Sequence, residues 1–345
     1  MKLFLAWKNK IASFLNVLRA NYRYSIKDYG LAIDYLNEAI SLNPNWAWLY
    51  RFRADAKEKL GQDKEAFEDL KSAFAINPND IWALHSLGQL MERQGDYAGS
   101  IAALTHAIQL SPRFSSAYLQ RGRTRRSLGE NEGAIEDLTK AFTLGMRNEN
   151  LHYERSICYF GAGRIDDALT DMNEALRISP NNADALVRYG LIWLEKGDLE
   201  QALANLNLGI SKNPYWLAES YLGRARVRLA KNEIDLAIED YLLAIENKPD
   251  CSDSFIECAF AFNKKGANDS AISYIQKAHA IVNNKYPNHP SGSTTVNPEY
   301  QRVLEALKWV LEFQKTKLKE TENNMFSSNI QSEKASFPKE KLPPT

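Results

Sequence analysis

Arg53, Arg121, Arg155 and Arg224 are each followed, sixteen residues later, by an aspartate: Asp69, Asp137, Asp171 and Asp240. A guanidinium and a carboxylate can share two parallel hydrogen bonds. The spacing therefore allows two chemistries: a row of arginines that holds anionic groups of a ligand, or ion pairs closed inside the chain. The substitutions favour closed pairs. Where the arginine place holds Leu87, Tyr189 or Cys258, the aspartate place holds Ala103, Asn205 or Tyr274. Arg19, with Tyr35 opposite, is the exception.

No other reactive residue type has a spacing that suits catalysis. His85, His106, His152, His279 and His289 form no metal-binding pair at helical spacing. Cys158, Cys251 and Cys258 are too few for a disulfide framework, and a reducing, cytoplasmic setting is expected. Gly161-Ala162-Gly163 is too short for a phosphate loop, and no serine sits in a nucleophile-elbow context. The chain is thus expected to hold no cofactor, metal or catalytic residue, and to be no enzyme. Forty-three basic residues balance forty-three acidic ones among 345, so the cation surplus that nucleic-acid binding needs is missing. No apolar run reaches membrane-spanning length, and Leu3-Phe4-Leu5-Ala6-Trp7 is too short for a secretory signal.

The elements that carry these residues follow from an internal period. Pro44, Pro78 and Pro112 are spaced by 34, and Pro180 and Pro214 continue the series; Met146 takes the missing place. Gly61, Gly95, Gly129, Gly163 and Gly197 are also 34 apart. One inserted residue then shifts both series, which leaves Asn232 in a glycine place; asparagine is the best substitute where the backbone turns left-handed. Small residues recur in three further places, beginning at Ala20, Ala32 and Ala39, and allow two helices to approach closely. Apolar residues between glycine and proline keep helical spacing, as in Ala134, Ile135, Leu138, Ala141 and Phe142. Each unit reads as helix, glycine turn, second helix and proline turn.

This unit resembles the tetratricopeptide repeat, with small residues at its eighth, twentieth and twenty-seventh places and proline at its thirty-second. Eight units match, starting at Ser13, Ala47, Ile81, Ser115, Glu149, Ala183, Ala218 and Ser252. The first and last depart most, with Lys27 at the turn place and Asn283 at the proline place. The resemblance implies an all-α fold, an alpha-alpha superhelix of eight helix-turn-helix repeats over residues 13–283. A C-terminal capping helix is expected at 298–320, after a flexible loop at 284–297, and residues 321–345 read as a disordered tail. Tyr300, Val303, Leu304, Leu307, Val310 and Leu311 share one face of that last helix, and Trp309 and Phe313 form a second apolar edge. Residues 1–12 are expected to extend and cap the first repeat, and membrane contact through them is not expected.

In the resembled family the first helix of each unit lines a concave groove. Its early part here is polar, and Trp48, Arg51, Trp82, His85, Gln89 and Arg123 are candidate partner contacts. The later part is apolar, with Tyr153, Ile157, Phe160, Val187, Leu191, Leu194, Leu222, Ile256 and Phe260 as candidates; the competing reading packs these against neighbouring repeats. The expected role is a non-catalytic protein–protein interaction scaffold that binds a peptide or amphipathic helix in the groove. A regulatory or assembly subunit of an enzyme or secretion complex is the alternative. No nucleic-acid or small-molecule partner is expected.

Overall fold

The computed structural model describes residues 2–286, 298, 299, 301–310, 312 and 316, with side chains from Asn9 onward. Most of the expected loop at 284–297, the side chains of Tyr300, Leu311 and Phe313, and the tail at 321–345 lie outside these residues. Among the described residues all regular structure is helical.

The chain divides into two compact units, Met1–Asn181 and Asn182–Thr345. The first holds five helical hairpins: α1 (Lys2–Ser25) with α2 (Tyr29–Leu42), α3 (Ala47–Lys59) with α4 (Asp63–Ile76), α5 (Ile81–Arg93) with α6 (Tyr97–Leu110), α7 (Ser115–Ser127) with α8 (Asn131–Thr143), and α9 (Glu149–Gly161) with α10 (Ile165–Ile178). The second holds three: α11 (Ala183–Lys196) with α12 (Leu199–Ser211), α13 (Leu217–Ala230) with α14 (Ile234–Asn247), and α15 (Ser252–Lys264) with α16 (Asn268–Lys285).

Local signals set where these helices begin and end. Asp28, Asp80, Asp96, Asn148, Asn182 and Asp198 each accept a backbone N–H in the first turn of the helix they precede, which satisfies a donor the helix itself cannot. The turn inside each hairpin needs one left-handed residue. Gly61 supplies it at φ 72°, and Asn232 adopts the same conformation at φ 64°, as its place in the glycine series predicts. Lys27 also does so, at φ 63°. A longer side chain is therefore tolerated there at a cost in backbone strain.

The three small-residue series form the seams inside the hairpins. Ala32, Ala66, Ala134, Ala168, Ala202 and Ala237 are all fully buried. Larger apolar residues interlock around them: Leu36 in the first hairpin, Leu70 in the second, Leu138 in the fourth and Leu206 in the sixth.

Residues 301–310 are helical and pack on the last hairpin. Val303, Ala306 and Val310 enter the cluster built by Phe255, Ile256, Ala259 and Ile275, with Leu307 and Trp309 partly buried beside them. Arg302 pairs with Asp253 at 3.0 Å, and Ser252 donates to Glu299 at 2.8 Å.

Candidate functional site

The spaced arginines and aspartates close on each other. Arg53 donates to Asp69 through Nε (2.8 Å) and Nη2 (2.6 Å). The same fork joins Arg121 to Asp137 at 2.9 and 2.7 Å, Arg155 to Asp171 at 2.6 and 2.8 Å, and Arg224 to Asp240 at 2.9 and 2.7 Å. All four carboxylates are buried. Each arginine also reaches back to the second helix of the preceding hairpin: Nη1 donates to Asn37, Thr105, Thr139 and Asn207 respectively. One side chain thus staples three helices, and the arginines are structural and not free for a ligand.

Sequence reasoning missed the rest of this module, although its spacing was visible. Four residues after the arginine stands a second cation, so Lys57 pairs with Asp69, Arg125 with Asp137 and Arg228 with Asp240, each at 2.8–2.9 Å. Around Asp171 that place is Tyr159, and His152 Nδ1 approaches the carboxylate at 2.9 Å instead.

In the third hairpin the module is replaced by apolar residues, and a cleft of about 600 Å³ opens there between Phe74, Leu84, Leu87, Met91, Ala103 and His106. Leu87, Met91 and Ala103 occupy the places of the arginine, the second cation and the aspartate. Filling this space with Ala103→Leu is expected to raise stability by about 0.5–2 kcal/mol. Thermal unfolding checks this, and an unchanged melting temperature would show that the cleft is already filled in solution.

The first helices α5, α7 and α9 lie side by side in the first unit. Trp82, His85 and Gln89 lie on α5 and Arg123 on α7, while Trp48 and Arg51 lie on α3. Trp82 is 51% exposed and stands edge-on to Phe114, ring centroids 4.7 Å apart. His85 leans on the same ring at 5.5 Å, and burial lowers its pKa below the ordinary histidine value. Trp48 stacks on Trp46 at 6.0 Å, and Arg51 Nε lies 3.6 Å from Asp80.

Gln89 and Arg123 join a second ladder that ties one first helix to the next. Gln89 donates to Gln120 at 3.4 Å, and Gln120 donates to Glu92. Arg123 and Arg126 both pair with Glu154, at 3.0 and 2.8 Å. Burial raises the pKa of Glu92, with Arg123 opposing that shift. Arg226 repeats the pattern in the second unit, in a fork to Glu257 at 2.8 and 2.6 Å. The spacing of 31 residues in Gln89–Gln120, Arg123–Glu154 and Arg226–Glu257 was legible in the sequence. Only contact distances show its meaning.

The apolar candidates divide. Tyr153, Ile157 and Phe160 are half-buried on α9, and Leu191 and Leu194 on α11. Phe260 is exposed on one side and meets Trp309 at 6.2 Å. Val187, Leu222 and Ile256 correct the sequence expectation: they are buried in separate core clusters and offer no surface to a partner. They pack against neighbouring helices, which is the packing alternative realised for these three.

The described residues contain no group of three or more His, Cys, Asp or Glu arranged for a metal ion. Burial pushes the thiols of Cys158 and Cys258 up to about 12, so neither is a thiolate at neutral pH. No described helix is long and apolar enough to cross a membrane.

Three tetratricopeptide repeat models match the sequence, one over residues 159–215, one over 86–145, and one twice, over 15–45 and 218–251. Together these matches span just over half of the chain. No curated protein matches it. Among solved structures, the fold is similar to that of the APC/C hetero-tetramer Cut9–Hcn1, with a TM-score of 0.62 and 13% identity over 86% of this chain. This chain spans only 55% of that one. A tetratricopeptide repeat protein from Parabacteroides merdae aligns with a TM-score of 0.56 and 16% identity, over 76% of this chain and 99% of its own. Pseudomonas aeruginosa pilF aligns with a TM-score of 0.56 and 16% identity, over 65% and 99%. At these identities the likeness is one of fold.

Proposed function

The chain belongs to the tetratricopeptide repeat family, and on that premise we propose that it is a non-catalytic adaptor that binds a peptide or amphipathic helix of another protein. The surface we assign to the partner is the exposed edge of α3, α5 and α7, extended by Ile157 and Phe160 on α9. The observation that carries this reading is Trp82, an indole held 51% exposed on a helix and braced by Phe114. A rigid, half-exposed aromatic loses little conformational freedom on binding and contributes a large contact area, which makes it a good anchor. Arg123, 42% exposed at its side chain on the neighbouring helix, retains donors beyond its pair with Glu154 and can address a partner carboxylate or carbonyl. Trp48 and Arg51 continue the surface on α3. We place this binding in a reducing, cytoplasmic compartment, in keeping with three unpaired cysteines.

The test is affinity capture from native extract with the full chain and with Trp82→Ala. The side chain is largely outside the core, so the variant should keep its melting temperature. Capture of the specific partner should weaken by about thirtyfold, corresponding to loss of one central anchor. Capture by Trp82→Ala and by Trp48→Ala equal to that of the unaltered chain would overturn the assignment of this surface, and substrate turnover by the purified chain would overturn the non-catalytic role.

A further inference from the structure

The end face of the first hairpin is apolar where later hairpins of the first unit are closed. Leu15 and Tyr22 occupy places filled in those hairpins by Leu49, Ala83, Ala117 and Leu151, and by Ala56, Leu90, Thr124 and Cys158. All eight of those residues are fully buried, whereas Leu15 is 48% and Tyr22 62% exposed. Ile11, Phe14 and Leu18 are exposed beside them. A repeat face open to water is ordinarily polar. This one presents five large apolar side chains at 11, 14, 15, 18 and 22, a helical stripe on one side of α1. The opposite side of α1, through Ser13, Asn16 and Ala20, is the one that is buried, and Ser13 donates to the carbonyl of Ala39 on α2 at 3.1 Å.

The charge on α1 indicates what covers this stripe. The helix contains Lys2, Lys8, Lys10, Arg19 and Arg23 and neither Asp nor Glu over 24 residues. With about 100° of rotation per residue, Lys10 and Arg19 fall on opposite borders of the stripe, and both are exposed. A second copy of α1 stacked on this stripe would bring Lys10 and Arg19 against their own copies, with no acidic residue on α1 to pair them, which disfavours a symmetric helix pair. An apolar stripe of Phe, Leu, Ile and Tyr bordered by cations matches a helix lying in a lipid interface, with its aromatic and aliphatic side chains among the acyl chains and its cations at anionic headgroups. We propose that α1 docks the chain on an anionic lipid surface by this face. The sequence expectation gave residues 1–12 a capping role, with rest on a membrane surface the less favoured reading; the exposed stripe runs on through Tyr22, which the linear pattern did not separate from the face packed on α2.

Flotation of the full chain with vesicles tests the proposal. Vesicles of an equimolar phosphatidylglycerol–phosphatidylcholine mixture should carry the chain, and vesicles of phosphatidylcholine alone should bind it about tenfold or more weakly. Raised salt should weaken the anionic binding. Leu18→Glu and Phe14→Glu should abolish flotation without lowering the melting temperature, because both residues already face outward. Three results would overturn the proposal: no flotation with the anionic vesicles, unchanged flotation of both variants, or a vesicle-free dimer that Leu18→Glu dissociates, which would assign the face to a second copy. Trp82→Ala should float normally, which separates this surface from the partner surface above.

Discussion

Asp137→Ala is expected to destabilise the first unit by about 3–5 kcal/mol. The carboxylate is 3% exposed and accepts from Arg121 through both oxygens and from Arg125 at 2.9 Å. Removing it leaves two guanidinium groups in a part-buried seam without an anion. The cost is mainly their uncompensated charge and not the loss of a favourable contact. The chain supplies its own control, because the third hairpin carries Leu87 and Ala103 at these two places. Adding Arg121→Leu to Asp137→Ala copies two of the three apolar places of that hairpin, removes one of the two stranded cations while Arg125 remains, and should recover part of the loss. Chemical denaturation of the two single variants and the double variant gives the coupling energy directly. A double variant no more stable than Asp137→Ala would show that the pair is not the source of the effect. Asp240, which is fully buried between Arg224 and Arg228, should behave in the same way in the second unit.

Leu206→Ala is expected to cost about 2–5 kcal/mol in the second unit. Leu206 is fully buried and clusters with Val187, Ala202 and Val227. Its fit depends on Gly190. A Cβ at residue 190 would stand 2.7 Å from Leu206 Cγ and 3.0 Å from the Ala202 carbonyl oxygen. Glycine and leucine here are shaped to each other, so the defect should be partly reversible from the other side. Gly190→Ala should be destabilising alone, by about 1–3 kcal/mol, because the backbone carbonyl cannot move aside cheaply. Combined with Leu206→Ala it should cost less than the two changes added, because its methyl enters vacated space. Denaturant midpoints of the three variants check this. Strict additivity would mean that the two residues do not share the space.

These two predictions draw unequally on the sequence. The Gly190–Leu206 seam was legible as a place in a periodic series, and the Arg121–Asp137 pair as a spacing with matched substitutions. Both are contacts within one repeat, where each partner sits a constant number of residues from the other. The second ladder, from Arg123 and Arg126 to Glu154, was not read, although its spacing is just as regular. It joins neighbouring repeats, and charged residues at such places look like a solvated face until a distance shows the partner, here the buried Glu154. Three of the nine apolar candidates were misplaced for a related reason. Val187, Leu222 and Ile256 lie on helical faces that the linear pattern cannot separate from the seam, because a small rotation about the helix axis moves a side chain from surface to core.

The sequence by itself determined the period, the hairpin turns and the small-residue seams, and with them the family. These are local or near-local properties, repeated often enough that no single departure, such as Lys27 or Met146, could hide them. Only the tertiary structure decided which polar residues are already engaged, which apolar ones are covered, and that the outer side of α1 is open. Those properties depend on what stands opposite a residue across a neighbouring helix. The same leucine place is fully buried at Leu49, which packs against Ala20, Leu36 and Ala39 of the first hairpin, and nearly half exposed at Leu15.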